Sequence, residues 1–228
     1  MNLHGMGPAQ GFWASLTDEE RTVLSGLGRA AVFPAGTVIC VEGDPATHVY
    51  VLLDGWVKIR SATSDGRELV LALRGNGDTV GEVAGETAGY RTATIQAVGT
   101  VHALIVAYEK FSAFLDANDG ADHAFRRMVT RRWNDAESNL RARAVTSGAQ
   151  RLAALLLTLA DQHGGTEHEA RIAMTLTQEE LASLAGTSRA TVTRALSNWR
   201  RRGIIRTGQR DLTITDLRTL RKIAGQQP

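Results

Sequence analysis

The chain of 228 residues holds one cysteine, Cys40. A lone thiol excludes an internal disulfide framework and any four-cysteine zinc or iron–sulfur site built within one chain. In the run Val38-Ile39-Cys40-Val41 it reads as a small buried hydrophobe. Long apolar runs are also missing. The richest, Leu152 to Ala160, is far too short to span a bilayer, and no charged start leads into a long apolar segment. The expectation is a protein of the cytoplasm, acting at the nucleoid, with no membrane partner. The six histidines, His4, His48, His102, His123, His163 and His168, are scattered, and only His48 and His102 fall on predicted strands. A cupin-like metalloenzyme needs several histidines and a carboxylate converging in a barrel, and haem needs defensible axial ligands. Neither pattern is present. The expectation is no metal, no iron–sulfur cluster and no catalytic residue, with the metalloenzyme kept as the alternative from another class.

Net charge is small as well, +2 at neutral pH, but its distribution is lopsided. Residues 150–228 carry 12 Lys and Arg against 7 Asp and Glu, whereas residues 1–125 carry 8 against 15. A basic C-terminal part marks the half that meets nucleic acid. Within it, Thr177 to Arg202 reads as two short helices joined at a glycine. Thr177 with Glu180 forms a capping box, Leu181, Ala182 and Leu184 make an apolar stripe, and Gly186 suits the turn. Ser188 caps the second helix. There Val192, Ala195, Leu196 and Trp199 recur at i, i+3, i+4 and i+7, so they share a buried face.

The opposite face carries Arg189, Ala190, Thr193, Arg194 and Ser197. A guanidinium on a groove-facing helix matches the N7 and O6 acceptors of guanine, which makes Arg189 and Arg194 the expected base readers. Ile204-Ile205, a turn at Gly208-Gln209-Arg210, and Leu212 to Thr215 alternate like a small hairpin, the wing of a winged helix-turn-helix. Arg200, Arg201, Arg202, Arg206 and Arg210 are placed to meet phosphates. A plain helical hairpin with a solvated face is the other reading of these residues.

Between Gly28 and Tyr108 the texture changes to short β-branched runs: Ala31–Phe33, Thr37–Val41, His48–Leu53, Trp56–Ser61, Glu68–Leu73, Ala93–Ala97 and His102–Val106. Turn signals such as Asp54-Gly55 and Gly75-Asn76-Gly77 separate them, which predicts a sandwich or jelly roll. A helical stretch follows from Ala121 to Thr146. Along it Phe125, Val129, Trp133, Ala136 and Leu140 advance by fours and threes, a seam for the same helix of a second copy or for the chain's own barrel.

Jelly roll, long central helix and winged helix in this order resemble the cyclic AMP receptor protein/FNR (CRP/FNR) family of bacterial transcription regulators. The most specific part of the resemblance is Thr79-Val80-Gly81-Glu82-Val83 followed by Arg91-Thr92-Ala93, which is similar to the family's phosphate-binding cassette. The expected fold is α+β: an effector-binding jelly roll over 1–120, a central dimerisation helix over 121–146 and a winged helix-turn-helix over 150–228.

The resemblance implies a homodimer on double-stranded promoter DNA, RNA polymerase as a further partner, and a cyclic nucleotide, cyclic AMP before cyclic GMP, as effector. A cyclic dinucleotide, an acidic metabolite or no effector at all is the alternative. It further implies that Glu82 accepts from the ribose 2′-hydroxyl, Arg91 holds the cyclic phosphate and Thr92 assists. Without the family, Glu82 and Arg91 also read as an ion pair on a barrel wall. Effector binding would then bias a hinge at Val145–Ala149 and align two recognition helices with successive major grooves.

Two departures bear on specificity. Where the family's cyclic AMP receptors reach adenine with adjacent hydroxyl or amide side chains, this chain has Ala136 and Glu137, with Asn134 and Ser138 close by as substitutes. Where the family's recognition helix begins Arg-Glu, this chain has Arg189-Ala190. Loss of that acceptor predicts that guanine recognition persists while discrimination at the Glu-dependent base pair relaxes or moves to a thymine methyl.

Overall fold

Alternation of side chains along two long strands organises the N-terminal half. In the computed structural model, which describes residues 11–64, 66, 68–83, 89–162, 169–172, 176–208 and 211–226, β3 (His48–Ala62) pairs antiparallel with β6 (Thr94–Ala107) from His48↔Ala107 to Arg60↔Thr94. The sequence predicts four strands here, divided at Asp54-Gly55 and between Ala97 and His102. The structure has two, each bent rather than ended at its glycine. Gly55 and Gly99 take φ of 92° and 91°, and the register slips as a bulge around Asp54. A Cβ on Gly55 would run into the Thr100 carbonyl, so the bend needs glycine.

Each long strand carries separate partners on either side of its bend. β1 (Arg29–Phe33) and β2 (Val38–Cys40) pair with the C-terminal and N-terminal halves of β6. β4 (Glu68–Arg74) and β5 (Thr79–Val80) pair with opposite halves of β3. This is the doubled sheet of a jelly roll, and among the described residues it does not close into a barrel. Period-two alternation then sorts the core. Tyr50, Leu52, Ala103 and Val101 face the roll's interior with Cys40, Val57, Val80 and Ile95. Val49, Val51, Leu104 and Val106 face outward onto helices.

Those helices are α1 (Phe12–Ser15), α2 (Asp18–Leu27), α3 (Tyr108–Ala117) and α4 (Asp119–Val145). Thr17 and Glu20 start α2 with a capping box. Phe12, Phe111 and Phe125 meet edge-to-face with centroids 5.5–5.9 Å apart and tie α1, α3 and α4 together. Phe125 therefore belongs to the chain's own core. Farther along the expected seam, Val129, Trp133 and Leu140 are 42%, 73% and 67% exposed.

The C-terminal unit holds the residues from Ala136 onward. After the end of α4, Ser147 and Gln150 cap α5 (Gly148–Gln162) reciprocally, by bonds of 2.8 and 3.3 Å. Then come β7 (Ala170–Ile172), α6 (Gln178–Ala185), α7 (Arg189–Arg201), β8 (Ile205–Thr207), β9 (Leu212–Ile214) and α8 (Leu217–Ala224). The wing is a three-stranded sheet of order β7-β9-β8. Neither β7 nor α8 is predicted by the sequence pattern. Leu152, Leu156, Leu181, Val192, Trp199, Ile214 and Leu220 are all buried and form the core of this unit.

Truncating one ring of the aromatic triad leaves a cavity. Phe111→Ala should destabilise the N-terminal half by about 3–5 kcal/mol, read as a lowered urea midpoint. A midpoint equal to that of the parent chain would show that the triad does not hold these helices.

Candidate ligand pocket and nucleic-acid interface

β5 ends at Val80, and Gly81, with φ of 82°, turns the chain into Glu82. The side of Gly81 that lacks a Cβ is filled by the Arg91 guanidinium. Arg91 Nη1 donates to the Gly81 carbonyl at 3.1 Å, and the guanidinium lies over the Tyr50 ring at 5.4 Å. The Arg91 backbone is pinned by Asp44 and Gly43, through N–H···O bonds of 2.8 and 2.9 Å. The side chain is 5% exposed, and its Nε has no hydrogen-bond partner among the described residues.

Glu82 and Arg91 do not form the wall ion pair that their sequence also allowed. Glu82 Oε1 instead accepts from Arg132 Nη1 at 2.7 Å. Arg132 sits on α4, donates Nη2 to the Thr79 carbonyl at 2.8 Å and meets Asp78 Oδ1 at 3.1 Å. Burial raises the pKa of Glu82, and the Arg132 charge opposes that rise. Arg74, beside this group, has its pKa lowered first by burial and then by the Arg132 charge. Glu82 Oε2 is buried with no hydrogen-bond partner among the described residues. Among the described residues an unmet acceptor and an unmet guanidinium donor thus coexist in one half of the chain, the one able to accept from a hydroxyl and the other to donate to an anion.

The structure brings Gly81, Glu82 and Arg91 together. Val83 and Thr92 follow them, both exposed, and residues 84–88 of the intervening loop lie outside the described residues. Asn134, Glu137 and Ser138 are exposed on α4. Asn134 is two residues from Arg132 and hence about 200° around the helix from it. Glu137 is held by Arg141 at 2.5 Å. Arg132 is the residue that sequence reasoning missed. Its signal was a charged side chain one turn beyond Met128, on a stripe otherwise packed against the roll.

In the C-terminal unit the capping box at Thr177 is formed, with the Glu180 N–H donating to its Oγ1 at 3.2 Å. Gly186 ends α6 with φ of 57°, in the left-handed region. Arg151 donates Nε to the Ala185 carbonyl at 2.9 Å and Nη2 to the Gly186 carbonyl at 2.8 Å, and its Nη1 bonds the Thr146 carbonyl. One fork therefore joins the α4 terminus to the turn before the recognition helix. Ser188 caps α7 by accepting from the Thr191 N–H at 3.1 Å.

Val192, Ala195, Leu196 and Trp199 are buried, while Arg189, Ala190, Thr193 and Arg194 are exposed and Ser197 is half-buried. Arg189 Nε stands 4.0 Å from Glu179, a solvent-exposed pair that leaves the guanidinium available. Thr193 contacts Gln178. Arg200, Arg201 and Arg202 are exposed, and Arg206 pairs with Glu169 at 2.9 Å. Arg210 lies outside the described residues. Among the described residues no group of three or more His, Cys, Asp or Glu could hold a metal ion, and no helix is long and apolar enough to cross a membrane.

Comparison with known proteins agrees with both halves. A cyclic nucleotide-binding domain matches residues 30–118, and a Crp-like helix-turn-helix domain matches residues 150–223. The CRP-like cAMP-activated global transcriptional regulator of Mycobacterium tuberculosis is 33% identical over 193 residues, covering 84% of this chain and 86% of the relative. The cyclic AMP receptor protein of Thermus thermophilus is 29% identical over 222 residues, covering 97% of this chain and 95% of the relative. A solved structure of a CRP-family transcriptional regulator, also from Thermus thermophilus, has 26% identity and a TM-score of 0.72, covering 86% of this chain and 96% of that one. The chain belongs to the family of CRP-like transcription regulators, which are not enzymes, and combines a cyclic nucleotide-binding domain with a helix-turn-helix DNA-binding domain.

Proposed function

We propose that the chain is a homodimeric regulator of promoter DNA gated by a cyclic nucleotide, cyclic AMP before cyclic GMP. The observation that carries this reading is a pair of buried atoms without a hydrogen-bond partner among the described residues, Glu82 Oε2 and Arg91 Nε. A ribose 2′-hydroxyl donates to the first and a cyclic phosphate oxygen accepts from the second. Gly81, Val83 and Thr92 frame that site, and Arg132 holds Glu82 in place. The cyclic AMP responses named for the Mycobacterium tuberculosis and Thermus thermophilus relatives support the choice of nucleotide.

Asn134, Glu137 and Ser138 enter this reading as base-facing groups supplied across a dimer, since Asn134 turns away from Arg132 on its own helix. Val129, Trp133 and Leu140 form the seam between the two copies. Ligand binding adds bonds at Glu82, whose carboxylate is already tied to α4 through Arg132. The end of α4 is bonded through Arg151 to the turn that precedes the recognition helix. The proposed division is an effector domain over 1–120, a dimerisation helix over 121–146 and a DNA-binding domain over 150–228. RNA polymerase is the proposed protein partner, and the cytoplasm at the nucleoid the proposed place of action. A second reading, another effector or none, is favoured by Glu137, which is engaged by Arg141 where the family's receptors offer a neutral hydroxyl.

Calorimetric titration with both nucleotides tests the ligand. Heat from cyclic AMP that falls about hundredfold in affinity in Arg91→Ala is the expected result, since a buried charge-assisted fork is lost. No heat from either nucleotide at high micromolar protein would exclude this effector class. Sedimentation tests assembly: the full chain should run as a dimer, and Trp133→Glu combined with Leu140→Glu should leave a monomer that binds a two-half-site duplex at least about tenfold more weakly. A variant that remained dimeric would move the interface elsewhere.

A further inference from the structure

The first turn of α6 borders the exposed face of α7 at two places. Thr193 Oγ1 donates to Gln178 Oε1 at 2.5 Å, and one position on, Glu179 Oε2 stands 4.0 Å from Arg189 Nε. Glu179 and Glu180 are the two acids of α6, and α7 has none. Glu180 is taken up in the capping box, where its Oε2 accepts from the Thr177 N–H at 2.7 Å. Glu179 is left as the carboxylate that meets the recognition face. A carboxylate so placed opposes the approach of a polyanion. Its place in the first turn also favours α6 through the helix dipole, but that effect is indifferent to which neighbour the side chain meets.

What distinguishes Glu179 is the edge of Arg189 that it meets. A guanidinium offers two edges to a planar partner, one made of Nε with a terminal nitrogen and one made of the two terminal nitrogens. Glu179 stands at Nε, and the terminal nitrogens have no partner among the described residues. Their two parallel donors are the ones that match guanine O6 and N7. We propose that Glu179 is a positioning residue for base recognition: it holds Arg189 by the Nε edge, so that the terminal nitrogens enter the major groove and read guanine. Before DNA binds, the two side chains are 70% and 69% exposed and water keeps the pair loose. Docking on a duplex removes that water and strengthens the contact. The same carboxylate repels the phosphates that would otherwise compete for Arg189. Ala190, next on the helix, has no polar atom to offer, so the carboxylate beside the reading arginine comes from α6 instead. The inference rests on the reading of Arg189 as a guanine reader, and its test keeps the two apart.

The test is selection of binding sites from randomised duplexes by the full chain, with and without cyclic AMP, for the parent, Arg189→Ala, Arg194→Ala, Glu179→Gln and Glu179→Asp. Aspartate keeps a charge in the first turn of α6 but withdraws it by one methylene from a contact already at 4.0 Å. The guanine lost in Arg189→Ala should fall in enrichment about fivefold in Glu179→Gln and about threefold in Glu179→Asp, with the guanine lost in Arg194→Ala intact in both. On a non-specific duplex Glu179→Gln should bind about twofold more tightly than the parent, and Glu179→Asp like the parent, because only the first removes a charge that phosphates meet. A parent-like motif in Glu179→Gln overturns the inference alone. So does an equal fall at both guanines, which is what a role in holding the helix would produce. A motif with no guanine that depends on Arg189 overturns the reading of Arg189 and this inference with it.

Discussion

The contact between Arg132 and Glu82 is the constraint on which the ligand pocket depends. Glu82 lies on the short segment after β5 and is almost wholly buried, a position that a carboxylate keeps only when something opposes the loss of water. Arg132 supplies that opposition, and the same guanidinium binds the Thr79 carbonyl and meets Asp78. The α4 helix is thereby fastened to the strand end that carries the pocket. Among the described residues only one of the two carboxylate oxygens is used, so the arrangement is incomplete by one donor. Arg91, locked over Tyr50 and against Gly81, is likewise incomplete by one acceptor among the described residues. In the proposed function, a ligand that supplies both completes this arrangement.

A parallel arrangement governs the C-terminal unit. Arg151 satisfies the carbonyls left free where α6 ends at Gly186, and the same side chain bonds the Thr146 carbonyl directly after α4. The space over Gly186 is occupied by the Arg143 guanidinium, which a Cβ would meet at 2.5 Å. The turn that sets the angle between α6 and α7 is thus held by cations from the helices that precede it. The recognition face beyond it carries little internal pairing of its own: Arg189 is only loosely associated with Glu179, and Thr193 is tied to Gln178.

How much of this is legible in the sequence follows from the range of each interaction. The helix-turn-helix is written in local chemistry: the caps at Thr177 and Ser188, the left-handed Gly186, and the Val192–Trp199 stripe each act within one or two turns, and the structure forms all of them. The jelly roll is recognisable from its short apolar runs, but Asp54-Gly55 looks like a turn because a positive-φ glycine serves a bend as well as it serves a hairpin. Periodicity places Phe125 on a seam for a second copy or for the chain's own barrel without choosing between them, because its partners Phe12 and Phe111 are too distant in sequence for periodicity to reveal. Arg132 escapes for the same reason: its partners Thr79 and Glu82 lie 53 and 50 positions earlier. Gly81, Glu82 and Arg91 are found only because their spacing resembles a family cassette. β7 escapes because three residues, without neighbours to pair, have no period to show.

The central claim is that Glu82 Oε2 waits for a ribose hydroxyl. Titration of cyclic AMP against its 2′-deoxy analogue, with the parent chain and with Glu82→Ala, measures this directly. The parent should bind the deoxy analogue at least about tenfold more weakly, about 1.4 kcal/mol, and Glu82→Ala should bind the two alike. Equal affinities in the parent, or an undiminished ratio in the variant, would contradict the account.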